Sequence, residues 1–250
     1  ILVRNMIKAI DFYDTEVCVR INHLSTPFGL ADLEEIVPLQ PSAIRYPKTE
    51  SAEEVMNLLR IIERIEDQHN LPHNKMTIHA MIETAMGVQN VFEIASKFIR
   101  IDAITVGGQD LTSDMNIIYT PDGTGIDFAR KRIVMAAKAS HIDVLDTVFP
   151  DVNDEEGLRK ETEYAKKIGF TGKAVINPRQ IDIVHEVFTP TEEEIRKAYR
   201  IVKEFRANSA AGIGVFAIDG KMIDAPVVSR AEYILKLANI EIGTTAGQAE

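Results

Sequence analysis

The sequence has no tryptophan, a single cysteine and few aromatic residues, 6% in all. One cysteine, Cys18, excludes an intrachain disulfide framework and fits a reducing compartment, so a cytoplasmic location is expected. Cys18 lies in an apolar, strand-like run, where a packed thiol is the ordinary reading and a nucleophile the unusual one. No apolar run reaches the ~18 residues that a membrane-spanning helix needs. Ile1–Ile10 has apolar residues at helical spacing and does not read as a signal peptide, so no membrane association is expected. Basic residues are outnumbered 28 to 38, giving a net charge of −10. That balance argues against a general nucleic-acid binder, though not against a local basic patch. The motifs GxSxG, HExxH and CxxC are absent. Gly212-Ile213-Gly214 has no third glycine at position 217 and is rejected as a dinucleotide fingerprint.

What is present is alternation. Apolar, β-branched runs near residues 17–22, 43–47, 77–82, 103–106, 143–149 and 173–176 alternate with helical patterns. Ser51-Ala52-Glu53-Glu54 and Thr191-Glu192-Glu193-Glu194 are capping boxes, and Gly169 stands where a helix should stop. Strand–helix alternation implies βαβ units and a parallel sheet. A (β/α)₈ TIM barrel needs eight strands, and the six runs here leave two strand–helix units unaccounted for. The reading preferred is such a barrel lacking its first two units, about 60 residues at the usual length of a βαβ unit. The competing reading is an open, doubly wound six-stranded sheet. Residues 1–206 form the barrel domain in this reading, as strands three to eight, and 207–250 a C-terminal arm. In the arm, Asp219-Gly220 signals a hairpin, and Ser229-Arg230-Ala231-Glu232 should cap a last short helix. The arm is too small to fold alone and should pack on its own barrel or on an adjacent subunit, which suggests self-association.

The most informative stretch is Thr77–Asp110. One apolar run ends on Glu83, and the next ends in Gly107-Gly108-Gln109-Asp110. Adjacent strands of a parallel barrel end side by side at the rim that carries active sites. Two carboxylates placed there could share a hard cation such as Mg²⁺; the plain alternative is a pair of solvated loop acids. Arg20, near the end of an apolar strand, is costly unless it meets an anion, either a substrate carboxylate or a neighbouring structural acid. His79 reads as a hydrogen-bonded core residue, and His23 has a weak claim to the rim. Pro72 makes His69 and His73 a poor helical metal pair.

Val19-Arg20-Ile21-Asn22, Tyr46-Pro47-Lys48, Ile82-Glu83-Thr84-Ala85-x-Gly87-Val88, Gly107-Gly108-Gln109-Asp110-Leu111 and Met222-Ile223-Asp224-x-Pro226 occur in this order. Together they resemble the citrate lyase β-subunit family, within the wider HpcH/HpaI-type aldolases. The chain departs from that family at Gln109, where an acidic residue is frequent, and at Asn177, where histidine is frequent. It also lacks the family's first two strands. The resemblance implies Glu83 and Asp110 as Mg²⁺ ligands and Arg20 as the grip on a substrate carboxylate. It implies that the backbone around Gly108, Gln109 and Asp110 cradles an oxo-acid, so that Glu83, Gly108 and Gln109 border the substrate. Asp224 matches a catalytic aspartate that some relatives insert into an adjacent subunit.

The implied reaction is cleavage of a citryl thioester, on acyl carrier protein or CoA, to an acetyl thioester and oxaloacetate. Other citrate lyase subunits are implied as partners, and a homo-oligomer, a trimer or a larger assembly, is expected. The residue types suit retro-Claisen chemistry: a cation to acidify a hydroxyl, an arginine to position, and a carboxyl to protonate an enolate. Rivals are a malyl-CoA or citramalyl-CoA lyase, a free 2-oxo-acid aldolase, and a non-catalytic paralogue.

Overall fold

The computed structural model describes residues 1–118, 120, 123–210, 212 and 214–240. The chain divides into two compact units, Ile1–Val184 and a second that begins at His185. Ile213, Ala211 and residues 241–250 lie outside the described residues, so the glycine motif at 212–214 and the end of the arm are described only in part.

The first unit alternates as α1 (Leu2–Ala9), β1 (Cys18–Arg20), α2 (Gly29–Ile36), β2 (Ala43–Tyr46), α3 (Ala52–Gln68), β3 (Thr77–Ile82), α4 (Ala85–Ser96) and β4 (Ile101–Val106). It continues as α5 (Gly108–Asp114), α6 (Asp127–Ala139), β5 (Asp143–Asp146), α7 (Glu155–Ile168) and β6 (Gly172–Lys173), and α8 (Ile181–Phe188) spans the boundary. The six strands pair in chain order, every pair parallel, in a curled half-barrel sheet. Sequential parallel pairing is what a strand–helix repeat produces, because each crossover returns the chain to the same end of the sheet.

Strand alternation sorts the side chains. Ile44, Ile78, Ala80, Ile82, Ile104 and Val144 are fully buried. The helices α4 and α6 contact β3, β4 and β5, and bring Val91, Ile94, Ile133 and Ala137 into the same core. The opposite face is mixed, with Arg45, His79 and Thr105 beside Ala43, Met81 and Leu145. Parallel register sets Arg20 beside Arg45, and Arg45 beside His79. His79 Nδ1 lies 3.5 Å from Cys18 Sγ, and its Nε2 lies 3.2 Å from Glu16 and 3.4 Å from Asp102. Burial pushes the Cys18 thiol up to about 11, which disfavours the reactive thiolate.

Local signals explain where helices begin. Ser51 Oγ accepts the Glu54 N–H at 3.2 Å, while Glu54 Oε2 accepts the Ser51 N–H at 3.3 Å. Ser51→Ala removes one half of this box and should lower stability by about 1 kcal/mol. Urea denaturation should show a reduced midpoint at an unchanged slope; an unchanged midpoint would mean that the box contributes nothing. Gly169 closes α7 in the left-handed region at φ +107°, where a side chain would be strained.

The second unit contains α9 (Glu192–Ala210), the antiparallel hairpin β7 (Phe216–Ile218) and β8 (Lys221–Ile223), and α10 (Ala225–Leu237). The hairpin turns through Asp219 at φ +50° and Gly220 at φ +74°, as a tight two-residue loop requires. Two boundaries differ from those read in the sequence. The unit starts at His185 and not after residue 206, because α9 contributes Ala198, Ile201 and Val202 to a core shared with Ile223, Val228 and Leu235. The last helix starts at Ala225 and not near Ser229, because Asp224 caps it and Pro226 suits its first turn.

Candidate active site

The end of β3 delivers Glu83 into a narrow place. Thr84 caps α4, its Oγ1 accepting the Gly87 N–H at 3.1 Å, so the chain turns immediately after Glu83. On one side Lys48 follows Pro47 with its backbone left-handed, at φ +46°. That conformation aims the Lys48 N–H at Glu83 Oε1, 2.7 Å away. The turn is held by the Thr49 N–H on Met81 O at 3.0 Å and by Thr49 Oγ1 on Tyr46 O at 3.0 Å. On the other side β4 gives way to Gly107, whose N–H donates to Ile82 O at 2.9 Å. A Cβ on Gly107 would lie 2.6 Å from Glu83 Cβ, so glycine is needed for close approach.

Gly108 opens α5 and places Asp110 in its first turn, exposed. The Lys48 ammonium lies 3.9 Å from Asp110 Oδ1. Lys48 therefore attends both acids, Glu83 through its backbone and Asp110 through its side chain. Asp114 Oδ2 accepts the Ala85 N–H at 2.7 Å and ties α5 to the start of α4.

Burial is the main cause that raises the Glu83 pKa above the usual glutamate range. The Lys48 N–H opposes it; the Asp110 charge adds to it, and the charges of Arg20 and Lys48 counter it. A buried carboxylate with a second carboxylate in electrostatic reach is a poor place for two negative charges and a good one for a cation. The donor set is two hard oxygen groups, and no group of three or more His, Cys, Asp or Glu side chains suited to a metal occurs among the described residues. Mg²⁺ is content with one or two carboxylates because it keeps several waters or substrate oxygens. Glu83 and Asp110 fit that ion.

Arg20 stands exposed at the end of β1 and forms no ion pair among the described residues. Its register partner is Arg45, and of the two arginines it is Arg20 whose positive charge is felt at Glu83. A guanidinium placed there can receive an anion. Gln109 is exposed in the first turn of α5. Asp224 belongs to the second unit, where its Oδ1 accepts the Val227 N–H at 3.3 Å as the cap of α10. His23 stacks on Tyr46 at 4.9 Å and holds Ser25, while His73 pairs with Asp67. Two neighbours of the site carry little sequence signal. Lys48 stands out only as the end of Tyr46-Pro47-Lys48, and Thr147, which accepts the Gly108 N–H at 3.0 Å, has no signal beyond its place after a strand.

A family model described as HpcH/HpaI aldolase/citrate lyase matches residues 1–178. Citrate lyase subunit beta of Leuconostoc mesenteroides subsp. cremoris is 40% identical over 238 residues, covering 95% of this chain and 79% of that one. A mitochondrial citramalyl-CoA lyase of Rattus norvegicus is 35% identical over 253 residues, covering 94% and 72%. Among solved structures, protein CitE of Mycobacterium tuberculosis, in complex with magnesium, acetoacetate and coenzyme A, is similar at a TM-score of 0.76. It is 28% identical, and the likeness covers 95% of this chain and 83% of that one. With a matching model over most of its length and relatives of this identity and coverage, the chain belongs to the HpcH/HpaI aldolase/citrate lyase family.

Proposed function

We propose that the protein is a Mg²⁺-dependent oxo-acid lyase of the citrate lyase β-subunit type, cleaving a citryl thioester to an acetyl thioester and oxaloacetate. The observation that carries this reading is the Glu83–Asp110 pair, one acid buried and one exposed, with Lys48 across both. The likeness to a solved relative that holds magnesium, acetoacetate and coenzyme A supports it.

Glu83 and Asp110 would hold Mg²⁺, which when bound would supply Lewis acidity at the reacting centre. Arg20 grips the substrate carboxylate and fixes the bond to be broken against the site. Gly108 and Gln109, at the start of α5, border the oxo-acid product through their backbone. A water takes the hydroxyl proton, the C–C bond breaks with its electron pair going to the thioester fragment, and the hydroxyl carbon becomes a carbonyl. The thioester fragment departs as an enolate and takes a proton at carbon from Asp224. Asp224 acts in the site of an adjacent subunit of a homo-oligomer, carried by the hairpin and α10 of the second unit. The six parallel strands are six of a TIM barrel's eight, a reading supported by their unbroken sequential order. Acyl carrier protein and other citrate lyase subunits are the partners this reading implies. No helix among the described residues is long and apolar enough to cross a membrane.

A second reading, citramalyl-CoA cleavage, is favoured by the Rattus norvegicus relative. Turnover of citryl, citramalyl and malyl thioesters, on CoA and on acyl carrier protein, separates the two. The citryl thioester should show the highest kcat/KM and lose all turnover in chelator. A higher value for citramalyl-CoA would shift the assignment to the second reading, and no cleavage of any thioester would overturn both.

A further inference from the structure

Behind the site lies a buried ionic network that the reaction above does not use. Arg130 of α6 grips Asp146, at the end of β5, with Nε at 3.0 Å from Oδ1 and Nη2 at 2.7 Å from Oδ2. Lys173 of β6 donates to Asp146 Oδ2 at 3.0 Å and, with the same ammonium, to the Thr147 carbonyl at 2.7 Å. The Arg130, Asp146 and Lys173 side chains have no exposure to solvent. Glu161 of α7 lies 3.3 Å from Lys173 and is the fourth ionisable group of the cluster.

The network ends at a hydroxyl. With its backbone fixed by Lys173, Thr147 presents Oγ1 to the Gly108 N–H at 3.0 Å. The fit is close, since a Cβ on Gly108 would lie 2.6 Å from that oxygen. Thr112 Oγ1 in turn donates to Gly108 O at 2.6 Å, so both polar groups of the Gly108 peptide are engaged by threonines. Asp110 follows two residues later in the same helical turn.

We propose that Thr147 is a positioning residue: its hydroxyl, fixed by the Arg130–Asp146–Lys173 network, sets the first turn of α5 and so holds Asp110 at the metal site. Asp110 is exposed, and its contact with Lys48 is long at 3.9 Å, so its own side-chain contacts hold it weakly. The precision of the turn comes from the buried side, through Gly108. This role rests on the Mg²⁺ reading above. Outer-shell partners of metal ligands are worth about 10–100-fold in affinity in other sites.

The test compares Thr147→Val, which keeps the shape and removes the acceptor, with Thr147→Ser, which keeps the acceptor. The whole chain is titrated with Mn²⁺ and followed by electron paramagnetic resonance, and amide exchange at Gly108 is followed by NMR without metal. Thr147→Val should weaken Mn²⁺ binding about 10–100-fold, the range of other outer-shell losses. It should also speed Gly108 exchange, while Thr147→Ser stays close to wild type in both. Wild-type Mn²⁺ affinity in Thr147→Val would overturn this role and leave the metal reading standing. No Mn²⁺ uptake by the wild type would overturn the metal reading and this role with it. Should Thr147→Val not fold, the wild type still decides: a Gly108 amide that exchanges as fast as that of Gln109 overturns the brace.

Discussion

Glu83→Gln should abolish metal-dependent turnover, a loss on the order of 10³-fold, the scale on which single electrostatic stabilisers act in active sites. Glutamine keeps the size of Glu83 and can still accept the Lys48 N–H that now lies 2.7 Å away. What it removes is the negative charge, and with it half of the acidic pair. Turnover measured across a Mg²⁺ titration, beside the wild type, checks this. Undiminished turnover would rule Glu83 out as a ligand.

The same substitution should stabilise the metal-free protein at neutral pH. Burial raises the folded-state pKa of Glu83 above its unfolded value. Between those two values the folded chain binds more protons than the unfolded chain, so stability falls as pH rises through that window. Above the window the cost of an ionised, buried carboxylate is fully present; below it Glu83 is protonated in both states and the cost is gone. Glu83→Gln should therefore melt higher than the wild type near neutral pH in chelator, with the gap closing as the pH drops from the raised folded value to the ordinary glutamate value. A constant gap would place the cause elsewhere. A position where the functional residue costs stability is the kind that selection keeps for its chemistry.

The sequence is legible where one signal acts locally. The run Thr77–Ile82 is apolar and β-branched, Glu83 follows it, and Thr84 can cap a helix, so the strand end and the acid both emerge from eight adjacent residues. Gly107 and Gly108 mislead, since a glycine pair reads as a loop, yet α5 begins at Gly108. Gly107 has φ −96°, so left-handed backbone does not explain it; the side chain of Glu83 beside it does. Contacts distant in sequence are harder to see. Lys48 reaches Glu83 across 35 residues through a left-handed backbone that no local pattern announces. Thr147 reaches Gly108 across 39. At the other end of the chain, Ser229 has the residue type of a helix cap but lies inside α10, because Asp224 caps earlier and Pro226 fits the first turn.

Exchange of subunits between two inactive variants should restore activity, if Asp224 works in a neighbour's site. Its capping bond complicates the usual alanine variant: Asp224 Oδ1 accepts the Val227 N–H at 3.3 Å, and losing a cap costs about 1 kcal/mol of its own. Asparagine caps a helix about as well as aspartate but cannot donate a carboxyl proton. Asp224→Asn should thus keep the melting temperature and lower kcat by about 10²–10⁴-fold, the usual worth of a positioned general acid. Mixed with Glu83→Ala and allowed to exchange, it should regain activity. A productive site needs Glu83 from one subunit and Asp224 from its neighbour, so random mixing in equal amounts restores about a quarter of the sites in a symmetric assembly. Exchange is verified independently with differently tagged subunits. If exchange is complete and the mixture stays inactive, Asp224 does not act in trans. If Asp224→Asn alone turns over at the wild-type rate, Asp224 does no more than cap α10.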